Sequence, residues 1–257
     1  MFQEIIEKTE KIIKKNWIKS LYHGTGGIGI TFEKLLNIET NTLEIPDYNQ
    51  IEIKTKLNNN KGYITLFSAT PDSYLFEIKR IQQLYGYPDS KQPKYKVFNL
   101  SFYYNKKTYI SKSLYGKLNI DEKNKNISLL IFNKLDNLID SDCSWSFDLI
   151  KEKIERKIKF LFLVYAEQQI IKNEVYYKYI NYHCYTFKSF EHFIENFKNG
   201  FLRITFKIGV VREGEKAGCI KDHGTSFDID YSKIEKIFNK AWVNWRKKLI
   251  IKTNSRN

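Results

Sequence analysis

Six apolar residues in succession, Phe160-Leu161-Phe162-Leu163-Val164-Tyr165, constrain this chain more than any other stretch. A strand with one wet face alternates apolar and polar side chains, so a strand without polar positions must be covered on both sides. It is read as the central strand of a sheet between layers. Helices are available upstream to supply those layers. Phe2, Ile5, Ile6, Ile12, Ile13 and Trp17, broken by Lys and Glu, predict an amphipathic helix over 2–20. A glycine-rich loop, His23 to Gly29, then leads to a helix capped by Thr31, with Phe32, Leu35 and Leu36 as its buried stripe. That loop resembles a phosphate cradle but lacks the Gly-Lys-Ser/Thr ending, so it is read as a turn. Strands follow at 43–45 and 51–54, a hairpin tip at Asn58–Gly62, and a strand at Tyr63–Phe67. A helix from Pro71, strands between Val97 and Asn133, and a helix opening at Asp142 and running through Lys157 complete this part. The order predicts an α/β core with a mixed central sheet flanked by helices.

After Glu167 the texture changes. Tyr176, Tyr177, Tyr179, Tyr182 and Tyr185 are interleaved with Lys and Asn, which suits either stacking platforms or the core positions of a strand. A helix at 188–198 ending at Gly200, a strand at Leu202–Val210 and a glycine-punctuated loop from Arg212 to Gly218 come next. Phe227, Ile229 and Tyr231 alternate as a strand, and a helix from Ser232 to Trp245 leads into a basic tail. These shifts mark a change after Glu167, and 257 residues suit one large domain or two lobes.

Composition narrows the partners. Lys and Arg outnumber acids 43 to 29, a formal charge of +14. Such a balance favours an anionic polymer, because each neutralised phosphate releases condensed counterions. No run of some 18 apolar residues predicts a membrane span, and the amphipathic N-terminal stretch does not read as a signal peptide. Cys143, Cys184 and Cys219 are far apart and form no CxxC, so neither a disulfide framework nor a zinc site is expected. A reducing cytoplasmic setting follows.

Chemistry concentrates at Pro46-Asp47-Tyr48-Asn49-Gln50-Ile51-Glu52-Ile53-Lys54. Alternation over Ile51–Lys54 predicts a strand with the two isoleucines in the core and Glu52 and Lys54 together on the other face. Asp47, at a turn after Pro46, can fold back toward that face. Two carboxylates to hold a divalent cation and an ammonium beside them are the parts that phosphodiester hydrolysis needs. Glu-x-Lys also occurs at Glu77/Lys79 and Glu155/Lys157, and Pro71-Asp72 to Lys79 repeats the whole spacing. Leu75, Ile78 and Ile81 recur at helical spacing, however. On a helix, residues two apart lie about 200° apart, so Glu77 and Lys79 diverge.

The ordered series is specific. Gly27-Ile28-Gly29-Ile30-Thr31-Phe32-Glu33-Lys34-Leu35-Leu36, Pro46-Asp47, Glu52-Ile53-Lys54-Thr55 and Thr65-Leu66-Phe67 resemble the MutH-like branch of the PD-(D/E)xK nucleases. Ser144–Phe147, Ala166-Glu167, Lys207-Ile208-Gly209 and Asp222–Phe227 resemble its MvaI/BcnI-type type II restriction endonucleases. The resemblance runs from about residue 20 to about residue 238. It implies Asp47 and Glu52 as metal-binding carboxylates, Lys54 as the third catalytic residue and Glu33 as an accessory acid. It further implies a catalytic core lobe at 1–168 and a DNA-recognition lobe at 169–257, with duplex DNA clamped between two lobes. Mg²⁺, with Mn²⁺ as substitute, is the implied cofactor. Such enzymes act as monomers, cut at short near-palindromic sites of the CCNGG kind to leave 5′-phosphates, and accompany a cognate methyltransferase. A MutH-like strand-nicking repair nuclease and a non-catalytic DNA-binding module are the alternatives.

Base reading is expected from Lys207, Arg212, Lys221, His223 and Asp228. The family pattern has Arg at the position of Lys207, a second His at that of Lys221 and a basic residue at that of Asp228. A lysine imitates the two-pronged guanine contact of arginine only as a point charge. The recognition sequence therefore does not carry over. Read from residues alone, His223 suits a structural hydrogen bond better than a base contact; the resemblance favours the base contact.

Overall fold

The computed structural model describes residues 2–24, 26–38, 46–59, 61–73 and 77–241. The strand expected at 43–45, positions 75 and 76 of the helix expected from Pro71, and the chain beyond Ala241 lie outside these residues. In chain order the elements begin with α1 (Gln3–Ile13), β1 (Trp17–Lys19), α2 (Gly27–Leu35), β2 (Ile51–Leu57), β3 (Tyr63–Ser68) and α3 (Ile78–Tyr85). Short strands β4 (Tyr87–Pro88), β5 (Lys96–Val97), β6 (Ser101–Phe102) and β7 (Thr108–Tyr109) precede β8 (Leu114–Asp121), β9 (Asn126–Asn133) and β10 (Leu138–Ser146). Then come α4 (Phe147–Lys157), β11 (Phe160–Ile171), β12 (Glu174–Phe187), α5 (Phe190–Lys198), β13 (Leu202–Thr205) and β14 (Ile208–Val210). The last are β15 (Ile220–Asp222), β16 (Ser226–Asp230), α6 (Ile234–Ile237) and β17 (Phe238–Ala241). Among the described residues no helix is long and apolar enough to cross a membrane.

The chain forms two units, neither of them continuous in sequence. The first comprises Met1–Gly62, Glu155–Lys188 and Ile234–Asn257; the second comprises Tyr63–Ile154 and Ser189–Lys233. A division at 168/169 would cut the β11–β12 hairpin, whose register pairs Gln168 with Tyr177 and Gln169 with Tyr176.

The first unit is built on the mixed sheet β1-β12-β11-β2, with β17 also on β12. The apolar run is its central strand: β11 pairs antiparallel with β12 and parallel with β2. Phe162, Val164 and Ala166 point from it into a core shared with Ile5, Ile6 and Ile12 of α1 and Phe32 of α2. Helix α1 stops at Ile13, short of the expected Ser20, because Asn16 adopts a left-handed backbone (φ 59°) and turns the chain into β1. Asparagine tolerates that conformation better than most residues. Helix α2 starts at Gly27, so Thr31 is not its cap; it is fully buried and accepts the Leu21 N–H at 3.0 Å. A Cβ on Gly27 would crowd the Tyr177 hydroxyl at 2.8 Å and Ser20 Oγ at 2.9 Å, so a larger residue there would displace both. The tyrosines of β12 belong to the packing. Tyr177, Tyr179 and Tyr185 are buried, the Tyr179 hydroxyl donates to the Ile28 carbonyl at 2.7 Å, and Tyr182 stacks on Phe162.

The second unit holds the sheets β10-β9-β8-β7 and β3-β16-β13-β6 and two small ribbons, β14-β15 and β4-β5. Residues 142–146, expected to open a helix, extend β10 instead, and α4 begins at Phe147. Trp145, fully buried, donates its indole N–H to the Ala69 carbonyl at 2.9 Å. Pro71 and Asp72 precede helix α3, which starts only at Ile78. The expected strand at 202–210 is broken at Phe206-Lys207 into β13 and β14. The helix expected from Ser232 shortens to a 3-10 turn and α6, then gives way to β17.

Candidate functional site

Among the described residues β2 ends its sheet, and its two faces differ as the alternation demands. Ile51 and Ile53 enter the core at 0% and 3% exposure, while Glu52 is buried on the other face at 4%. A two-residue turn delivers Asp47 to this strand. Asn49 and Gln50 both have positive φ (43° and 70°), and Tyr48 and Ile51 exchange backbone hydrogen bonds of 3.0 and 2.7 Å. Such mirror-image turns match the twist of the chain on either side. Asp47 then accepts the Ile53 N–H on Oδ2 at 2.9 Å, capping an amide that no strand among the described residues pairs. Tyr48 fastens the turn to α1 by bonding Glu4 and accepting from Lys8.

The structure brings Asp47, Glu52, Lys54 and Glu33 together. Lys54 Nζ lies 2.6 Å from Glu52 Oε1. Glu33 lies on α2, which runs against β2 with Gly29 beside Thr55. Burial pushes the Glu52 carboxyl up; Lys54 opposes this and the Asp47 charge adds to it. Burial likewise raises Glu33, and the charges of Asp47 and Glu52 raise it further against Lys54. Three crowded carboxyls partly withdrawn from water are a ready place for a divalent cation, which removes their repulsion. Among the described residues no three carboxylate, imidazole or thiol groups close into a cage. Mg²⁺ does not need one, being held by one or two carboxylates plus waters and phosphate oxygens. Asp47 and Glu52 fit that demand.

Sequence reading missed Lys157. Its Nζ is 3.5 Å from Glu52 Oε2, so Glu52 meets an ammonium on each oxygen. Only the parallel pairing of β11 with β2, which sets Leu161 beside Glu52, brings the end of α4 to the site. The repeated spacing at Asp72, Glu77 and Lys79 forms no such cluster. Asp72 accepts the Ser146 N–H at 2.9 Å, Glu77 flanks α3 and Lys79 lies within it.

Crowding at Glu33 has a measurable consequence. An acid that holds its proton more tightly when folded loses stability as pH rises, from the ordinary glutamate range near 4.5 until the raised folded value is passed. Without metal, Glu33→Gln is expected to melt above wild type at pH 8, the gap closing toward pH 4. Equal gaps at both pH values would show that Glu33 carries no such penalty.

In the second unit, Arg212, Lys221 and His223 line a groove of about 280 Å³ with Asn99 and Gly209. Ribbon β14-β15 sets Gly209 opposite Lys221, and the His223 N–H bonds the Lys207 carbonyl at 3.1 Å. Lys207 thus meets the cluster through its backbone. Arg212 is engaged by Asp89, its Nε and Nη2 lying 2.9 and 2.8 Å from the two carboxylate oxygens. That fork holds the Asp89 carboxyl well below its usual range and pins the 89–95 loop, where Asp89 also accepts two backbone amides. Asp228 is not in the groove. It is 3% exposed and accepts from Thr65, Thr205 and Arg203 at 2.8, 2.8 and 3.2 Å. Its neighbours Phe227 and Ile229 are buried too, so both faces of β16 are covered and the alternation does not turn Asp228 outward.

A sequence model described as the MvaI/BcnI restriction endonuclease family matches residues 6–238. Among solved structures, a complex of restriction endonuclease MvaI with cognate DNA substrate is 28% identical, with 93% of this chain and 97% of that one covered and a TM-score of 0.85. Restriction endonuclease MvaI in the absence of DNA is likewise 28% identical, covers 91% and 94%, and gives a TM-score of 0.58. No curated protein matches. Since the family match runs from α1 to the start of β17, taking in both the Asp47–Lys54 site and the groove, the chain belongs to the MvaI/BcnI restriction endonuclease family.

Proposed function

We propose that this protein is a Mg²⁺-dependent type II restriction endonuclease, a monomer that hydrolyses duplex DNA at a short near-palindromic sequence beside a cognate methyltransferase. The observation that carries this reading is the convergence of Asp47, Glu52 and Lys54 at β2. When bound, a divalent cation polarises the scissile phosphate and lowers the pKa of the attacking water. Asp47 and Glu52 would hold it. Lys54, tethered by Glu52 and 28% exposed, presents an ammonium to the phosphate and steadies charge developing there. In-line attack by water breaks the bond from phosphorus to O3′ and leaves a 5′-phosphate and a 3′-hydroxyl. Glu33 sits beside this pair as an accessory acid. In the second unit, Lys221 and His223 present donors at the groove, where they read base edges; Lys207 and Arg212 position the ribbon and loop that carry them.

The test is incubation with plasmid and genomic DNA, followed by sequencing of the ends. Discrete fragments with one shared end sequence are expected with Mg²⁺ or Mn²⁺, binding without efficient cutting in Ca²⁺, and no cutting in chelator. Full activity in chelator would rule out the metal role of Asp47 and Glu52.

A further inference from the structure

We infer that Asn99 is a specificity-determining residue of the groove, reading the major-groove edge of an adenine; this rests on the nuclease reading above. Its backbone is fixed on both sides. Phe98, fully buried, exchanges hydrogen bonds of 2.8 and 3.1 Å with Ile208, and the Leu100 carbonyl accepts the Phe206 N–H at 2.9 Å. The Asn99 carbonyl accepts the Tyr87 hydroxyl at 3.3 Å. Gln82 holds the opposite wall by donating to the Gly209 and Lys96 carbonyls at 3.1 and 2.8 Å. Against this rigid frame the Asn99 side chain is exposed at the groove, and its carboxamide has no partner among the described residues. A short side chain on a fixed backbone loses little freedom on binding, which suits a reader better than a solvated loop residue.

The chemistry selects the base. The carboxamide carries a donor and an acceptor side by side. That pair matches the N7 acceptor and N6 amino donor of adenine, a pattern that no other base presents in the major groove. Lys221 and His223 in the same groove offer donors suited to the acceptors of guanine. Asn99 therefore adds the function that the cationic residues lack: a preference for an A·T pair next to the pairs they contact.

The test uses full-length wild type, Asn99→Ala and Asn99→Asp with a duplex pool randomised over the cleaved site. Retained duplexes are sequenced in Ca²⁺ and cut duplexes in Mg²⁺. Asn99→Ala is expected to lose about ten- to hundredfold of preference at one A·T position, with other positions, non-specific affinity and melting temperature unchanged. Asn99→Asp, with acceptors only, should shift that position toward cytosine, whose N4 amino group donates. Unchanged preferences, an equal loss on every duplex, or a change confined to a G·C pair would overturn the assignment while the nuclease reading stood. A wild type that neither selects nor cuts duplex DNA would overturn both.

Discussion

Glu52→Gln and Lys54→Ala proteins will fold and retain DNA, yet cut it at less than about a thousandth of the wild-type rate. The factor follows from several kcal/mol of transition-state stabilisation, each ~1.4 kcal/mol being tenfold in rate. Glu52 is 4% exposed and feels the Asp47 charge, so its own charge acts where water screens little. Glutamine keeps the shape and removes the charge that holds a cation. Lys54→Ala removes the ammonium without touching the core, because Ile51 and Ile53 carry the packing of β2. Asp47→Asn belongs with them: its amide can still accept the Ile53 N–H, but the ligand charge is gone. Asp72→Ala, Glu77→Gln and Lys79→Ala serve as controls and should leave cutting in place, with Asp72→Ala losing about 1 kcal/mol of stability through its Ser146 contact. Single-turnover rates on a cognate duplex, with melting curves alongside, decide the matter. Loss of cutting in the control set alone would move the active site to the second copy of the spacing.

How much of this was legible beforehand depends on the range of the forces involved. Phe160–Tyr165 announced a central strand because continuous apolarity has few other outlets, and β11 occupies that place between β12 and β2. Ile51–Lys54 announced a strand with one chemical face, and Glu52 and Lys54 do meet there. Local backbone chemistry was harder to read. Lys14, Lys15 and Trp17 continue the helical pattern past Ile13, and only the left-handed Asn16 reveals that the chain leaves α1 for β1. Residues 142–146 carry no strand signal stronger than their helix signal; pairing of Cys143, Ser144 and Trp145 with β9 decides their state. Long-range partnerships were not legible at all. Lys157 reaches Glu52 through the β2–β11 pairing, and Arg212 reaches Asp89 across 123 residues of sequence. A texture change after Glu167 suggested a boundary, but the hydrogen bonds of a long hairpin run straight across it.

Asp228→Ala will destabilise the protein by about 3 kcal/mol, lowering its melting temperature by roughly 10 °C, without redirecting its sequence preference. The carboxylate is the hub of a polar row across one sheet: Thr65 on β3, Asp228 on β16, and Thr205 and Arg203 on β13, with Ser101 of β6 bonded to Thr205 at 2.8 Å. Strand pairing enforces the row, since Asp228 stands opposite Thr65 on one side and Arg203 on the other. Alanine would leave two hydroxyls and a guanidinium without their acceptor in a site 3% exposed, and the unmet desolvation exceeds the worth of any one bond. Arg203 keeps only the Tyr103 hydroxyl at 3.3 Å and the face of Tyr63 at 3.5 Å. Asp228→Asn should lose less, because the amide oxygen still accepts while its NH₂ confronts donors. Lys221→Ala and His223→Ala, at exposed groove positions, should stay within about 0.5 kcal/mol of wild type and change sequence preference instead. Thermal melts paired with cutting of one-base-altered duplexes separate the two behaviours. If Asp228→Ala melts like wild type but relaxes choice at a single base pair, the carboxylate reads DNA, and the polar row is no more than its resting partner.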